Sequence, residues 1–193
     1  VGLPGATWEE ELNSFELMMS DSRFIPDELK IYPLMLMEKT QLYNEYLKGK
    51  YTPLTFEETV KRVAEFKARI LPSMRLKRVL RDIPATLVFA GPKKSDLREY
   101  AQKYLEESGR KCSCIRCREV GHQQSKGKIP QEKDIKLVRR EYNASDGKEI
   151  FLSMEDTTQD ILFGFLRLRH PSEDNIISIV GETPFSIIRE IHV

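Results

Sequence analysis

The sequence predicts an α/β protein made of two unlike halves. Up to about residue 110, short apolar runs alternate with amphipathic helical patterns, an order typical of parallel sheets whose strands are joined by helices. After about residue 132 the helical patterns stop, and β-rich segments follow one another across short turns. All three cysteines lie between the halves, within KCSCIRCREVGH. The residues with the most distinctive chemistry are therefore expected at the junction.

Four helices are predicted in the first half. Two of them begin at capping boxes, formed by Thr7 with Glu10 and by Thr55 with Glu58. The first should run to about Ser20, and the second should end before Pro72, because proline cannot continue a helix. A short helix is expected before the turn at Gly49, and a fourth is expected over residues 95–109.

The strands of the first half are predicted from short apolar runs beside turn residues. They are expected at residues 1–3, at residues 29–37 and on both sides of Pro84. These strand–helix units are too few to close a barrel by themselves. Such units build either a barrel or an open sheet, and the first half, residues 1–109, is expected to be part of a larger, TIM-type parallel barrel.

The second half, residues 132–193, is predicted to be a β-sheet. Its strands are expected in IKLVRREYNA, KEIFLSMED, DILFGFLRLRH and SIIREIHV, with turns at residues 145–147 and 170–174. The third of these segments is apolar on both faces, so we expect it inside a sheet that is covered on both sides. Residues 110–131 are left as a cysteine-containing linker and polar loop.

The composition is that of an ordinary soluble protein, with 40% hydrophobic and 32% charged residues. We find no apolar run long enough to span a bilayer and no signal peptide at the start, so no membrane association is expected. An odd number of clustered cysteines argues against a secreted disulfide scaffold and favours the reducing cytoplasm. The formal net charge is +1, but residues 61–140 hold most of the basic side chains. This bias suggests a polyanion-binding side, although a solvated surface has the same pattern.

The cysteine cluster has the spacing CxCxxC, at Cys112, Cys114 and Cys117. Three thiolates within six residues can converge on one ion, and tetrahedral zinc needs a fourth ligand, for which His122 is the nearest candidate. The alternatives are three free thiols or a redox pair formed by the last two cysteines. A zinc ion here would order the junction and set the angle between the halves.

Several sequence blocks resemble a known family. VGLPGAT and MRLKRVLRDIPATLVFAG resemble the latter half of a radical S-adenosylmethionine (radical SAM) barrel. REVGH, FLSMED, LRLR and REIHV resemble the start of a Gcn5-related acetyltransferase domain. Their combination in this order resembles the Elongator catalytic-subunit family, which modifies the wobble uridine of tRNA.

The resemblance implies an enzyme that forms 5-carboxymethyluridine from acetyl-CoA by radical SAM chemistry. It implies a 4Fe-4S cluster, S-adenosylmethionine and acetyl-CoA as cofactors, and tRNA as partner, with a homodimer or other Elongator subunits as further candidates. It places the cluster-binding cysteines upstream of Val1 and the glycine-rich acetyl-CoA loop downstream of Val193. The chain alone is therefore expected to be inactive. The resemblance also agrees with a zinc ion at the junction.

The basic middle of the chain supplies the candidate RNA-binding residues. They are Arg75, Lys77, Arg78, Arg81, Lys93, Lys94, Arg116, Arg118, Lys126 and Lys128. Contacts of such residues with phosphates would give salt-dependent affinity that does not depend on base sequence. Some of the arginines in RLKRVLRD could instead form ion pairs inside the barrel. Tyr32 and Tyr142 could stack on bases, although most such aromatics pack in a core.

The last strand carries the candidates for acetyl transfer. Glu190 and His192 share one face of the strand, so the two could simply pair with each other. The resemblance implies that this strand borders the acetyl-CoA cleft, which makes either residue a candidate general base. The resemblance places His192 and Val193 at the edge of the acetyl-CoA cleft. Two other functions remain open, a protein-lysine acetyltransferase and a non-catalytic, zinc-bound RNA-binding fragment. The basic middle of the chain weighs against the first of these.

Overall fold

The computed structural model describes residues 1–172 and 185–193, so part of the predicted turn at 170–174 lies outside the described residues. The first half contains four helices, which confirm the four predicted ones: α1 (Trp8–Ser20), α2 (Gln41–Leu47), α3 (Phe56–Arg69) and α4 (Leu97–Glu107). Both predicted capping boxes form, and each threonine side chain accepts a hydrogen bond from the backbone N–H three residues on. The backbone leaves α4 through Gly109, which has a positive φ of 70°.

Two parallel strands, β1 (Glu28–Ile31) and β2 (Arg75–Val79), form the sheet of the first half. The prediction of a strand at residues 29–37 is too long, because Pro33 has no N–H to donate and only Leu36 pairs further, in a bridge with Ala90. The parallel order agrees with the prediction, since the chain crosses from β1 to β2 through α2 and α3.

Two predicted strands of the first half are wrong. Residues 1–3 are not a strand, because Gly2 has a positive φ of 77°, although Val1 still accepts a hydrogen bond from the N–H of Leu34 at 2.8 Å. The segment after Pro84 is a 3₁₀ turn, Ala85–Leu87, and not an extended strand. Proline pre-sets the turn conformation there.

The junction contains two short helices that the sequence did not predict, α5 (Ile115–Arg118) and α6 (Val120–Gln124). Helices of four and five residues have no stable nucleus of their own. Tertiary contacts hold them in place: the N–H of Ile115 donates to the carbonyl of Met74 at 2.8 Å. The expectation of an irregular polar loop is therefore corrected for this segment.

The second half is a β-sheet, as predicted, and its four strands in the described residues are antiparallel. Its strands lie in chain order: β3 (Ile135–Ala144), β4 (Gly147–Asp156), β5 (Ile161–His170) and β6 (Ile187–His192). A tight hairpin joins β3 to β4, and Ser145 and Asp146 both have positive φ there. β5 lies inside the sheet, but within the described residues only one sheet face is covered. The other face exposes Leu137, Ile188 and Ile191.

Each half has its own hydrophobic core. The larger core packs α1, α3 and α4 on the parallel strands and includes Cys112 and Cys114. The smaller core joins Ile115 of α5 to Phe151, Leu162 and Phe165 on the sheet. Consecutive residues of the junction are thus buried in different cores, which anchors the junction to both halves. Among the described residues, no helix combines the length and apolarity that crossing a bilayer requires.

Candidate metal centre and basic cavity

The structure brings the three cysteine sulfurs together. Cys112 follows α4, Cys114 is the N-cap of α5, and Cys117 lies inside that helix. Their Sγ atoms lie within 4.8 Å of one another, with two of the side chains buried and that of Cys117 half-buried. On a tetrahedral zinc, with Zn–S bonds of about 2.3 Å, two thiolates lie roughly 3.8 Å apart. The cluster therefore has the size of a tris-thiolate metal site.

Hydrogen bonds favour a thiolate at Cys114. The pKa of its thiol lies far below the usual range, because the side chains of Cys112 and Cys117 hydrogen-bond to its sulfur. The backbone N–H groups of Cys117 and Leu76 also point at this sulfur. The hydrogen bond to Cys114 raises the pKa of the Cys112 thiol, because Cys112 must keep its proton to donate this bond. Backbone donors aimed at a sulfur suit a metal-bound thiolate as well.

His122 does not join the cysteine group. It is exposed on α6, and its ring is not among the ligand atoms that converge within 4.8 Å. The amide oxygen of Gln102 on α4 is nearer, with Oε1 at 3.9 Å from the Cys117 sulfur. Its Nε2 donates to the Glu106 carboxylate at 3.0 Å, which orients Oε1 towards the cysteines. No local pattern predicts this glutamine as a ligand, because it comes from a different helix.

Two basic side chains lie beside the cysteines. Lys67, in the last turn of α3, is fully buried, and its Nζ donates to the carbonyl of Arg98 at 3.3 Å. Arg98 donates from Nη2 to the carbonyl of Leu76 at 2.9 Å. Burial lowers the pKa of the Lys67 ammonium, whereas the charges of the cysteine sulfurs oppose this effect. The surroundings of the cluster are therefore electropositive.

Ion pairs fix the junction to both halves. Arg118 is buried and pairs with Glu155 of β4 and with Asp160, whose Oδ1 lies 2.6 Å from its Nε. Glu119 pairs with Arg75 of β2 at 2.5 Å. Arg118 and Glu119 are adjacent in the chain, but Arg118 pairs with the second half and Glu119 pairs with the first half. Buried pairs of this kind are costly to break, because each partner would keep an uncompensated charge.

A second ion-pair group connects the halves directly. Asp27, just before β1, pairs with Arg167 of β5 at 3.2 Å and with Arg189 of β6 at 2.5 Å. Arg189 also pairs with the buried Glu149 of β4 at 2.8 Å. The guanidinium of Arg167 lies over the rings of two phenylalanines on its own sheet. The covered face of the sheet is thus charged as well as apolar.

Several predicted RNA-binding residues are engaged within the protein. Arg118 is buried, so its prediction as an RNA contact is corrected, and Arg75 is largely buried in its pair with Glu119. Lys77 and Arg78 are exposed but pair with Glu28 and Asp82. Arg81 and Lys93 are exposed and line a separate, smaller cavity of about 220 Å³. Lys94, also exposed, lies over the rings of Phe56 and Tyr100.

The remaining basic candidates line one open cavity. Its volume is about 1010 Å³, and it reaches from α4 to the cysteine cluster. Arg116, Lys126 and Lys128 lie on its wall, together with Lys103 and Lys111, which the sequence analysis did not single out. Acidic groups on the wall partly offset this charge, since Lys126 pairs with Glu106 at 3.1 Å.

The candidates on β6 and the two tyrosines have structural partners. Glu190 accepts a hydrogen bond from Arg167 at 2.7 Å, and His192 lies 3.6 Å from Glu119. Glu190 and His192 therefore have separate partners, contrary to the alternative interpretation that they pair with each other. Val193 is fully exposed. Tyr142 packs against the smaller core, so it is not free to stack on a base, whereas Tyr32 is exposed.

Comparisons with known proteins agree with this architecture. Residues 26–107 match the family model of the radical SAM C-terminal domain. A tRNA uridine(34) acetyltransferase of Methanocaldococcus infernus is 42% identical over 193 residues, which cover 100% of this chain and 36% of that protein. Elongator complex protein 3 of Schizosaccharomyces pombe is 39% identical over 99% of this chain and 35% of its own length.

A solved structure matches as well. It is an archaeal Elp3 from Methanocaldococcus infernus with an N-terminal deletion, and it is similar with a TM-score of 0.92 and 41% identity. The match covers 100% of this chain and 45% of that one. The chain spans about a third of the length of the curated relatives it matches.

Residues 26–107, which contain the two parallel strands and the helices α2 to α4, are therefore similar to the C-terminal domain of radical SAM proteins. The resemblance to the Elongator catalytic-subunit family is confirmed: the chain is homologous along its whole length to tRNA uridine(34) acetyltransferases and Elongator complex protein 3.

Proposed function

We propose that this chain is the part of a tRNA wobble-uridine acetyltransferase in which the radical SAM unit meets the acetyltransferase unit. One observation carries the proposal: the similarity to proteins of this name extends over the entire chain and is not confined to one half. We divide the chain into the end of the barrel (residues 1–109), a zinc-binding junction (110–131) and the start of a Gcn5-related acetyltransferase domain (132–193). The antiparallel sheet β3–β6 supports the last assignment.

The whole enzyme would transfer an acetyl-derived carboxymethyl group to carbon 5 of the wobble uridine, with acetyl-CoA as donor. The radical SAM class implies a 4Fe-4S cluster and S-adenosylmethionine. We assign neither of them to the cysteines of this chain, because the cysteine cluster follows the barrel helices in the chain and has CxCxxC spacing. A cytoplasmic location, and association as a homodimer or with other Elongator subunits, stay predictions.

The cysteine cluster is assigned to zinc. Three thiolates in a compact group, with backbone N–H groups aimed at one sulfur, suit a tetrahedral thiolate-rich zinc site. For the fourth position we favour the amide oxygen of Gln102 over the imidazole of His122. A thiolate and an oxygen on one zinc lie about 3.6 Å apart, close to the observed 3.9 Å between Cys117 Sγ and Gln102 Oε1. Zinc would fix the junction, which is anchored in both cores.

The basic cavity is assigned to tRNA phosphate. Arg116, Lys126 and Lys128 gather on one wall beside the proposed zinc site, so they can contact a polyanion together. His192 and Val193, at the end of β6, remain the candidates for the edge of the acetyl-CoA cleft. We interpret Glu190 as a structural partner of Arg167 and not as a general base.

The activity is tested with the full-length protein that contains this segment, given labelled acetyl-CoA, S-adenosylmethionine and a reductant. Two tRNA substrates differ only at position 34, which is uridine in one and cytidine in the other. We expect label only on the tRNA with uridine. Label on protein lysines, or equal label on both tRNAs, would overturn the proposal.

The RNA contacts are tested by measuring tRNA affinity as salt is raised. Arg116→Glu and Lys126→Glu should each weaken binding and reduce the slope of log K against log salt by about one unit. Lys48→Glu, a matched charge change on the exposed end of α2, should leave the slope unchanged. A salt-independent affinity of the wild-type protein would contradict the phosphate contacts.

A further inference from the structure

Lys67 differs from the other buried basic side chains of this protein. Arg118 and Arg167 are equally buried, but each pairs with two carboxylates. Within residues 1–172 and 185–193, no carboxylate lies within 4.0 Å of the Lys67 ammonium. Its hydrogen bond goes to a neutral carbonyl at 3.3 Å. A buried charge without a counter-ion is strongly unfavourable, so an anionic group must compensate it.

The cysteine sulfurs are the candidates for that anionic group. All three act electrostatically on Lys67, and Cys112 and Cys117 line the same cavity wall as its side chain. The Glu106 carboxylate also interacts electrostatically with Lys67, but it is half-exposed and already binds Gln102 and Lys126. Arg98 faces the sulfurs too, although part of its side chain reaches solvent. Of these two basic residues, only Lys67 is fully buried.

The charges of a metal-loaded cluster match this arrangement. Three thiolates and one divalent ion leave a single net negative charge if the fourth ligand is neutral, such as the Gln102 amide. One ammonium neutralises that charge without coordinating the ion.

We propose that Lys67 is the counter-ion of the junction metal centre, a positioning residue that sets its affinity for divalent metal without being a ligand. The inference rests on the proposed zinc site. It makes Lys67 a determinant of metal binding that lies on α3, outside the cysteine segment. The Lys67 side chain acts through its charge. A neutral side chain of similar length should therefore occupy the same space without supporting metal binding.

The test uses Lys67→Met and Lys67→Gln in the full chain, with zinc affinity measured by competition with a chelator. We expect both variants to bind zinc about tenfold to a hundredfold more weakly, the usual effect of losing a partner outside the ligand shell. With Co²⁺ in place of zinc, the sulfur-to-metal absorption bands should persist, because the ligands are intact. Lys103→Met, an exposed change on the same cavity, should behave as wild type.

The metal-free proteins separate a counter-ion from a merely structural residue. Without metal, removal of an unpaired buried charge should leave the melting temperature unchanged or raise it, and only the zinc-induced increase should shrink. Wild-type affinity in both Lys67 variants, or unfolding of both metal-free variants, would overturn the inference. Failure of the wild-type chain to bind zinc would instead overturn the proposed metal site, and the inference with it.

Discussion

The guanidinium of Arg118 and the carboxylate of Glu155 form an ion pair that is almost completely buried where α5 meets β4. Their side chains are only 2% and 4% exposed. Arg140 shares the same carboxylate at 2.5 Å, so one glutamate holds two arginines. The pair connects the residue next to the last cysteine with the centre of the second sheet. The position of the sheet therefore depends on charges as well as on packing.

Arg118→Met should destabilise the chain substantially. It removes the shared partner of Glu155 and Asp160, which keep only Arg140 and Lys111, so the cost should approach the roughly 3 kcal/mol of a broken buried pair in the free energy of unfolding. Urea unfolding followed by circular dichroism measures the change. Arg139→Met removes an exposed pair on β3 and should cost less than about 1 kcal/mol. Equal effects of the two changes would contradict the role of Arg118.

Cys114→Ser should abolish stoichiometric zinc binding. Its sulfur receives the hydrogen bonds of the cluster, and a hydroxyl is a far weaker zinc ligand than a thiolate. Elemental analysis of the purified chain should fall from one zinc to none. Ser113→Ala, between the first two cysteines, should retain the metal. A wild-type chain that contains no zinc after purification with zinc present would be inconsistent with this assignment.

Gln102→Leu should weaken zinc binding, whereas His122→Leu should leave the zinc affinity nearly unchanged. Loss of the Gln102 amide should weaken zinc binding at least about tenfold, because its oxygen is the neutral donor nearest the Cys117 sulfur. His122 is exposed and lies outside the group, so its replacement should change the affinity by less than about threefold. Chelator competition measures both. The reverse order of effects would restore His122 as the fourth ligand.

The stability of the first half should decrease in acid through Glu65. Arg110 and Arg69 hydrogen-bond to this carboxylate and lower its pKa to about 2. A depressed pKa in the folded state stabilises the fold above the unfolded value, and this contribution is lost as the pH falls through the folded value. The free energy of unfolding should therefore decline between about pH 5 and pH 2.

Glu65→Gln isolates this contribution. The variant should be less stable than wild type at pH 7, and the difference should shrink towards pH 2. Glu57→Gln, an exposed change on the same helix, serves as the control. An unchanged pH profile in Glu65→Gln would show that Arg110 and Arg69 do not stabilise the fold through this carboxylate.

Local patterns account for the elements that the sequence predicted well. The capping boxes at Thr7 and Thr55, together with the apolar stripes behind them, define α1 and α3 because a helix is specified within a few turns of its own sequence. The first three strands of the second half were predicted for a similar reason, since the turns from β3 to β4 and from β4 to β5 are short.

The errors occur where a distant contact decides the conformation. Residues 1–3 and the segment after Pro84 have the composition of strands, but within the described part of the chain neither pairs with a strand over several residues. The helices α5 and α6 are too short to carry a periodic pattern. They form because Ile115 is buried against the second sheet and its N–H finds the carbonyl of Met74.

The amino-acid sequence alone determined the two-part organisation, the helices that cap themselves and the cysteine spacing that can surround one ion, because these properties depend on residues close together in the chain. The tertiary structure decided which charges are buried, that Lys67 and Gln102 meet the cysteines, and that Arg118 faces Glu155 and not solvent. These relationships join residues far apart in the sequence. They exist only once packing has removed water from between them and made each charge depend on its partner.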